Sequence, residues 1–159
     1  MLRELATDLA LDRPPVVLRD PAWWILITIG LAACLALWTI LGIDPTASVP
    51  RGAGSWIGVI GLQPLVEELL FRGVVQGALL RTIAGARRCA QLSVANGVSS
   101  LAFVALHFVH HPPLWALATL APSLALGWLR ERHGSTWSAA LTHAIFNAEF
   151  FASAAACSA

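Results

Sequence analysis

Two adjacent carboxylates and an arginine, Glu67, Glu68 and Arg72, lie inside the apolar run of residues 56–80. Such a run is long enough to cross a bilayer, and an ionisable side chain at that depth is costly and by default functional. In a helix, Glu68 and Arg72 are one turn apart and predict an ion pair, whereas Glu67 points to a different face. The spacing therefore predicts a structural pair beside a second, separate carboxylate.

Two further pairs of residues repeat this one-turn spacing in later apolar segments. Phe103 precedes His107 by four residues, and His143 precedes Asn147 by four. A carboxylate, two imidazoles and an amide supply a base, proton carriers and an oxyanion donor, as hydrolysis of a peptide bond requires. A single histidine in a membrane helix is more often a structural hydrogen-bonding residue, so the prediction of catalysis depends on three helices converging.

The composition indicates a membrane protein with several spans. Of the 159 residues, 57% are hydrophobic and 12% are charged, and the mean hydropathy is +0.71. An ordinary soluble domain has about twice that share of charged residues. The net charge of +1 argues against nucleic acid as a partner, and the three cysteines lack the spacing of metal ligands. We therefore expect a lipid bilayer as the environment, with no cofactor and no metal ion.

Five apolar segments are predicted to span the membrane as helices, giving an all-α helical bundle. The spans are predicted at residues 22–43, 56–80, 91–109, 114–128 and 136–157, with an amphipathic N-terminal segment at residues 1–21 and a loop at residues 44–55. The third span contains Asn96, Ser99 and Ser100, which predict an interior helix that neighbouring helices approach closely. Residues 22–159 would form one transmembrane domain with a four-helix core at residues 56–150.

The arginines predict the orientation of these spans. Three precede the first span, three follow the second and two follow the fourth, which places eight on one side, and Arg51 alone falls on the other side. Loops rich in arginine stay in the cytoplasm. The N-terminus is therefore expected in the cytoplasm and the C-terminus outside.

The three pairs together resemble the signature of the CPBP or Abi family of glutamic intramembrane proteases, which includes CAAX-type prenyl endopeptidases and bacteriocin-processing proteins. That signature is Glu-Glu-x-x-x-Arg, then Phe-x-x-x-His, then His-x-x-x-Asn on successive helices. The chain has Glu67-Glu68-x-x-x-Arg72, Phe103-x-x-x-His107 and His143-x-x-x-Asn147, in that order. The resemblance covers about residues 56–150.

The resemblance implies an intramembrane endopeptidase in the inner (plasma) membrane of a bacterium. It implies that Glu67 activates the attacking water with the help of His107, and that His143 and Asn147 orient or stabilise the oxyanion. The supporting residues would be Glu68, Arg72 and Phe103. The substrate would be a membrane-anchored protein or peptide cut near its C-terminus, of CAAX-like, sorting-signal or peptide-precursor type, and the oligomeric state stays open.

Two alternatives are kept beside the glutamic protease. His107 and His111 have the spacing of two zinc ligands on one helix, although Phe108 stands where a zinc protease has its glutamate and Pro112 normally ends a helix. A non-catalytic membrane protein that binds a peptide, as in immunity, would use the same residues without turnover. Glu149 lies on another face from Asn147 and has no predicted role.

Overall fold

The fold is given by a computed structural model, which describes residues 2–40 and 49–158. The end of the first predicted span and the beginning of the predicted loop at residues 44–55 fall on residues 41–48, outside the described residues. The described chain is mostly helical with one short hairpin, which confirms the all-α prediction.

The helices follow the chain in a simple order. They are α1 (Leu2–Asp8), α2 (Pro21–Thr39), α3 (Ala53–Ile57), α4 (Gln63–Glu68), α5 (Gly77–Leu80), α6 (Val94–His107), α7 (Pro113–Ala118), α8 (Leu120–His133) and α9 (Thr136–Cys157). Two π-helical segments, Gly58–Leu62 and Leu69–Gln76, join α3 to α4 and α4 to α5. A 3₁₀ turn (Val17–Arg19) precedes α2, and β1 (Arg88–Cys89) pairs with β2 (Leu92–Ser93) in an antiparallel hairpin.

The second predicted span is helical without a break over residues 53–80, which we call the motif helix. It contains Pro64, whose ring nitrogen cannot donate to the carbonyl of Ile60, and the first π segment ends two residues before this proline. The second π segment begins directly after Glu68 and contains Arg72. Because π segments are rare and occur often at functional sites, their position here favours the interpretation of the motif helix as the functional element.

Helix ends are set by residues that satisfy the terminal backbone groups. The Asp20 side chain accepts from the backbone N–H two residues further on at 3.0 Å, with Pro21 in the first helical position of α2. The hydroxyl of Ser93 accepts from the N–H of Asn96 at 2.9 Å and so fixes the start of α6. α8 ends at His133, and the next residue, Gly134, adopts the left-handed conformation with φ 60°.

The described chain divides into two compact units. Unit 1 comprises Met1–Val16 and Val66–Ala140, and unit 2 comprises Val17–Leu65 and Leu141–Ala159. In unit 1, α6 packs against α8 and the second π segment. Asn96, Ser99 and Ser100 are fully buried there, and the Ser99 hydroxyl donates to the Phe71 carbonyl at 2.7 Å. The polar face of α6 is thus interior, as predicted, whereas its opposite face, with Val98 and Leu101, is exposed.

The N-terminal residues are held within unit 1 by the beginning of α9. The backbone N–H of Thr136 donates to the Ala10 carbonyl at 2.9 Å, and its hydroxyl donates to the Leu9 carbonyl at 2.6 Å. The hydroxyl of Ser135 donates to the Arg13 carbonyl at 2.7 Å. The Leu9 side chain also lies against Gly73 of the second π segment. Residues 9–13 are thus tied to the same unit that carries the acidic motif.

Unit 2 is built on contacts between α2 and α9. The indole N–H of Trp23 donates to the Thr142 hydroxyl at 2.8 Å, and that of Trp38 donates to the Ser153 hydroxyl at 2.9 Å. Both indoles are buried. The two hydrogen bonds lie about four turns apart on α2 and about three turns apart on α9, so they align the two helices over much of their length.

α2 is the one helix of the described residues that is long and apolar enough by itself to cross a membrane. α6 is apolar but has only 14 residues. The fourth predicted span is divided between α7 and α8, and α8 continues beyond residue 128 to His133. The extension of α8 contains charged side chains that find polar partners. Arg130 donates to the Arg72 carbonyl at 3.2 Å, and Glu131 pairs with Arg88 at 2.6 Å. The count of five spans stays a prediction.

Candidate active site

The structure contains the ion pair that the spacing of Glu68 and Arg72 predicts. Arg72 Nε lies 3.1 Å from Glu68 Oε2, and both side chains are 0% exposed. Removing two charges from water is costly, and a pair of this kind is stable only when its remaining hydrogen-bonding groups also find partners. The stability of this buried pair therefore depends on the other contacts that Arg72 makes.

Arg72 reaches two further helices of unit 1. Its Nη2 donates both to the backbone carbonyl and to the hydroxyl of Ser123 in α8, each at 2.8 Å. Its guanidinium carbon lies 5.1 Å from the centre of the Phe103 ring in α6, within the range of a cation–π contact. Arg72 thus joins the motif helix to α6 and α8, and Ser123 is a site residue that the sequence analysis missed.

Gln76, one turn after Arg72, continues the same polar face and was also missed. It is fully buried, and its Nε2 donates to the Gly127 carbonyl at 3.0 Å and to the Glu131 carboxylate at 2.8 Å. The same carboxylate accepts from the hydroxyl of Ser93 and from Arg88 at 2.6 Å. A polar residue four positions after Arg72 in an apolar run was the signal that could have revealed Gln76.

Glu67 differs from its neighbour in exposure. Glu68 is buried in the ion pair, whereas Glu67 is partly exposed. Because the side chains of neighbouring residues in a helix point about 100° apart, the two carboxylates face different surroundings. Glu67 is therefore the more exposed of the two carboxylates, although its Oε2 atom is buried.

His107 is oriented by the residue one turn before it. Its Nδ1 lies 2.9 Å from the Phe103 carbonyl, and a carbonyl can only accept, so Nδ1 carries the hydrogen. The two rings are 4.3 Å apart between centroids, and the Phe103 ring contacts Phe71 edge to face at 5.2 Å. These contacts fix the imidazole plane and leave Nε2 as the nitrogen that can accept or deliver a proton.

His143 and Asn147 lie on α9 in unit 2. His143 is buried, with 8% exposure. Nδ2 of Asn147 donates to the carbonyl of Val59 in the first π segment at 2.7 Å. The amide therefore has a fixed orientation, and its second N–H remains in the plane that this bond defines.

Glu149, on the same helix, packs against α2 within unit 2. A methyl group placed on Gly30 would lie 2.8 Å from Glu149 Oε2, so the carboxylate occupies the space that this glycine leaves. Oε2 of Glu149 is itself buried. Its position in the contact between α2 and α9 gives Glu149 a packing location, which the sequence alone did not indicate.

The site residues are thus divided between the two units. Unit 1 contains Glu67, Glu68, Arg72, Phe103 and His107, and unit 2 contains His143 and Asn147. Within unit 1 the structure brings together Glu68, Arg72 and Phe103, and it places the His107 ring against the Phe103 ring at a tilt of 34°. The convergence of all these residues on one substrate stays a prediction.

Comparison with known protein families identifies the motif-bearing part of the chain. Residues 50–148 match the model of the Rce1-like family, described as type II CAAX prenyl endopeptidase Rce1-like. The matched range includes every residue of the three motifs. Neither the curated proteins nor the solved structures contain a match to the chain.

Proposed function

Since the chain belongs to the type II CAAX prenyl endopeptidase Rce1-like family, we propose that it hydrolyses a peptide bond near the C-terminus of a membrane-anchored protein or peptide. The family assignment made from the three motifs is confirmed by this match. Membership makes the chain a CAAX-type intramembrane protease at the family level, an integral membrane protein that acts on membrane-associated peptides. The position of the cleaved bond and the glutamate chemistry belong to the proposal.

In the proposed reaction Glu67 is the general base. Its carboxylate takes a proton from a water molecule while the water oxygen bonds to the carbonyl carbon of the substrate, and the carbonyl π electrons move to the oxygen. His107, through Nε2, hydrogen-bonds the same water and orients it. When the carbon–nitrogen bond breaks, the proton returns from Glu67 to the leaving amine, so that a carboxylic acid and an amine are the products.

The second pair, His143 and Asn147, is assigned to the oxyanion. Negative charge develops on the substrate oxygen in the tetrahedral intermediate, and preoriented N–H donors stabilise it. Asn147 suits this role because one of its two amide hydrogens is held by the Val59 carbonyl, which fixes the direction of the other. The supporting residues are Glu68, Arg72 and Phe103. The ion pair stabilises the helix that carries the base, and Phe103 positions His107.

One observation carries the assignment of the base. Of two adjacent glutamates, Glu68 is fully buried in an ion pair with Arg72, while Glu67 is partly exposed on another face of the helix. A carboxylate that is buried in an ion pair with a guanidinium serves to hold that pair together. Glu67 is consequently the carboxylate assigned as the base.

The test uses the purified protein in lipid nanodiscs with fluorogenic C-terminal peptides, prenylated and unprenylated. Glu67→Gln, nearly isosteric, is expected to reduce turnover to almost none, whereas Glu149→Gln, the same substitution in a carboxylate outside the motifs, retains it. A chelator is expected to leave activity unchanged. Full activity in Glu67→Gln would remove the proposed base, and activity lost to a chelator and restored by zinc would favour a metal mechanism. Peptide binding without cleavage in both proteins would favour a non-catalytic role.

A further inference from the structure

The second π segment of the motif helix is bound by two other helices through consecutive backbone carbonyls. The hydroxyl of Ser99 in α6 donates to the Phe71 carbonyl at 2.7 Å, and Nε of Arg130 in α8 donates to the Arg72 carbonyl at 3.2 Å. A carbonyl oxygen has two lone pairs and can accept such a bond in addition to one within its own helix. Because the acceptors are backbone atoms, the two bonds hold the path of the helix itself.

α6 runs antiparallel to the motif helix. The first turn of α6 lies beside the residues that follow the motif helix, because the backbone N–H of Ala95 donates to the Gly85 carbonyl at 3.0 Å. One turn later in α6, Ser99 binds Phe71, which lies well inside the motif helix. Moving forward along α6 therefore means moving back along the motif helix.

The hydrogen bond of Ser99 sets the register of these two helices. Glu67 lies one turn before Phe71, and His107 lies two turns after Ser99. At about 1.5 Å per residue these separations are about 6 Å and about 12 Å, in the same direction along the two antiparallel axes. The register therefore places the backbone of His107 about one helical turn beyond the level of Glu67.

The direction of helical side chains reduces this difference in level. Each Cα–Cβ bond tilts toward the N-terminus of its own helix. In antiparallel helices Glu67 therefore tilts toward the level of His107, and His107 tilts back toward the level of Glu67. The observed imidazole agrees with this tilt, because its centroid lies 4.3 Å from that of the Phe103 ring, one turn earlier in α6.

We propose that Ser99 is a positioning residue for hydrolysis, whose bond to the Phe71 carbonyl holds α6 in the register that lets Glu67 and His107 bind the same water molecule. The inference rests on the proposed function, which assigns the base to Glu67 and the orientation of water to His107. Ser99 itself is assigned no contact with substrate or water. A displacement of about 1 Å at a reacting group can lower a rate by about 10², so a bond that sets the register acts on the chemical step.

The next residue of α6, Ser100, provides a matched control. Both serines are 0% exposed, but the hydroxyl of Ser100 donates to Oδ1 of Asn96 at 3.1 Å, a bond that stays within α6. Ser99→Ala removes the bond between the two helices, and Ser100→Ala keeps it. Ser99→Ala also retains the bond from Arg130 to the adjacent carbonyl of the π segment, so we expect this variant to fold.

The structural experiment is hydrogen–deuterium exchange with mass spectrometry on the full chain in lipid nanodiscs. Exchange reports local opening of the backbone. Ser99→Ala is expected to lose protection in peptides that cover residues 69–76, whereas Ser100→Ala retains the protection of the parent protein. Equal protection of this segment in the two variants would overturn the proposed role of Ser99 in the register.

The kinetic experiment measures kcat and KM for a cleavable C-terminal peptide. Ser99→Ala is expected to lower kcat by about tenfold to 10² with KM unchanged, while Ser100→Ala keeps both values. Ser99→Thr retains the hydroxyl and is expected to recover most of the lost kcat.

Three results would overturn the positioning role of Ser99. They are a parental kcat in Ser99→Ala, a loss of kcat that only matches a smaller folded fraction, and a slow Ser99→Thr protein whose exchange is that of the parent. A parent protein without peptidase activity would count against the proposed function alone, because the exchange comparison does not depend on turnover.

Discussion

Arg72 shows how a single side chain can organise a site buried among helices. Its guanidinium contacts the Glu68 carboxylate on its own helix, Ser123 on α8 and the Phe103 ring on α6. The planar group presents several donors in fixed directions, which lysine does not. Arg72 therefore positions Phe103, and through Phe103 the imidazole of His107.

Replacing Arg72 is expected to lower the stability of the fold more directly than it affects the chemical step. Arg72→Ala leaves the Glu68 carboxylate buried without its cation, and breaking a buried pair costs about 3–5 kcal/mol in soluble proteins. We expect a lower midpoint of thermal unfolding in detergent and a lower folded yield, together with reduced activity. Arg87→Ala, at an exposed position, is the control and should change neither. If Arg72→Ala abolished cleavage with unchanged thermal stability, a direct catalytic role for Arg72 would be the better account.

Asn147 is expected to act on the chemical step. Removing one oxyanion donor costs about 10²–10³ in kcat in other enzymes, so Asn147→Ala should retain weak but measurable turnover with little change in KM. The matched control is Thr142→Ser on the same helix as Asn147. It keeps the hydroxyl that accepts from Trp23 and should retain nearly full kcat. A loss confined to KM would instead assign Asn147 to substrate binding.

At the scale of the elements, the contact between α6 and α8 depends on one glycine. A methyl group at Gly127 would overlap the side-chain amide of Asn96, which itself donates to the Leu124 carbonyl at 3.0 Å. The same stretch of α8 supplies Ser123 to Arg72 and the Gly127 carbonyl to Gln76. The close approach of these two helices is therefore what brings the partners of the acidic motif within hydrogen-bonding distance.

The prediction at this scale compares two glycine substitutions in adjacent helices. Gly127→Ala forces α6 and α8 apart or displaces Asn96, and overpacking of this kind typically costs about 1–3 kcal/mol. Gly97→Ala, on α6, meets nothing within 4 Å and should be neutral or stabilising by about 0.4–1 kcal/mol. Thermal unfolding of both variants in one detergent checks the difference. Equal stabilities would show that the helices do not approach as closely as described.

At the scale of the whole chain, local interactions were predictable and contacts between helices were not. The Glu68–Arg72 pair and the Phe103–His107 contact each lie within one helix, where spacing alone determines proximity. Ser123 and Gln76 depend on the rotation of α8 and on the π segment of the motif helix, which shifts the residues that follow it relative to a regular α-helix. The binding of residues 9–13 to Ser135 and Thr136 uses backbone carbonyls as acceptors, and these leave no mark in the sequence.

The predicted orientation can be tested with the cysteines that the chain already contains. Cys89 lies in the loop after the second predicted span and Cys157 ends α9, and both are exposed. If arginine-rich loops remain in the cytoplasm, five spans place Cys89 inside and Cys157 outside.

Two single-cysteine proteins, each with the other two cysteines replaced by serine, would be expressed in a bacterium and treated as spheroplasts with a membrane-impermeant maleimide. We expect Cys157 to react in intact spheroplasts and Cys89 to react only after lysis. Labelling of both before lysis, or of Cys89 alone, would require an even number of spans or the opposite orientation. Either result would change the predicted depth of the acidic motif below the cytoplasmic surface. It would also change the side of the membrane from which a C-terminal substrate is expected to enter.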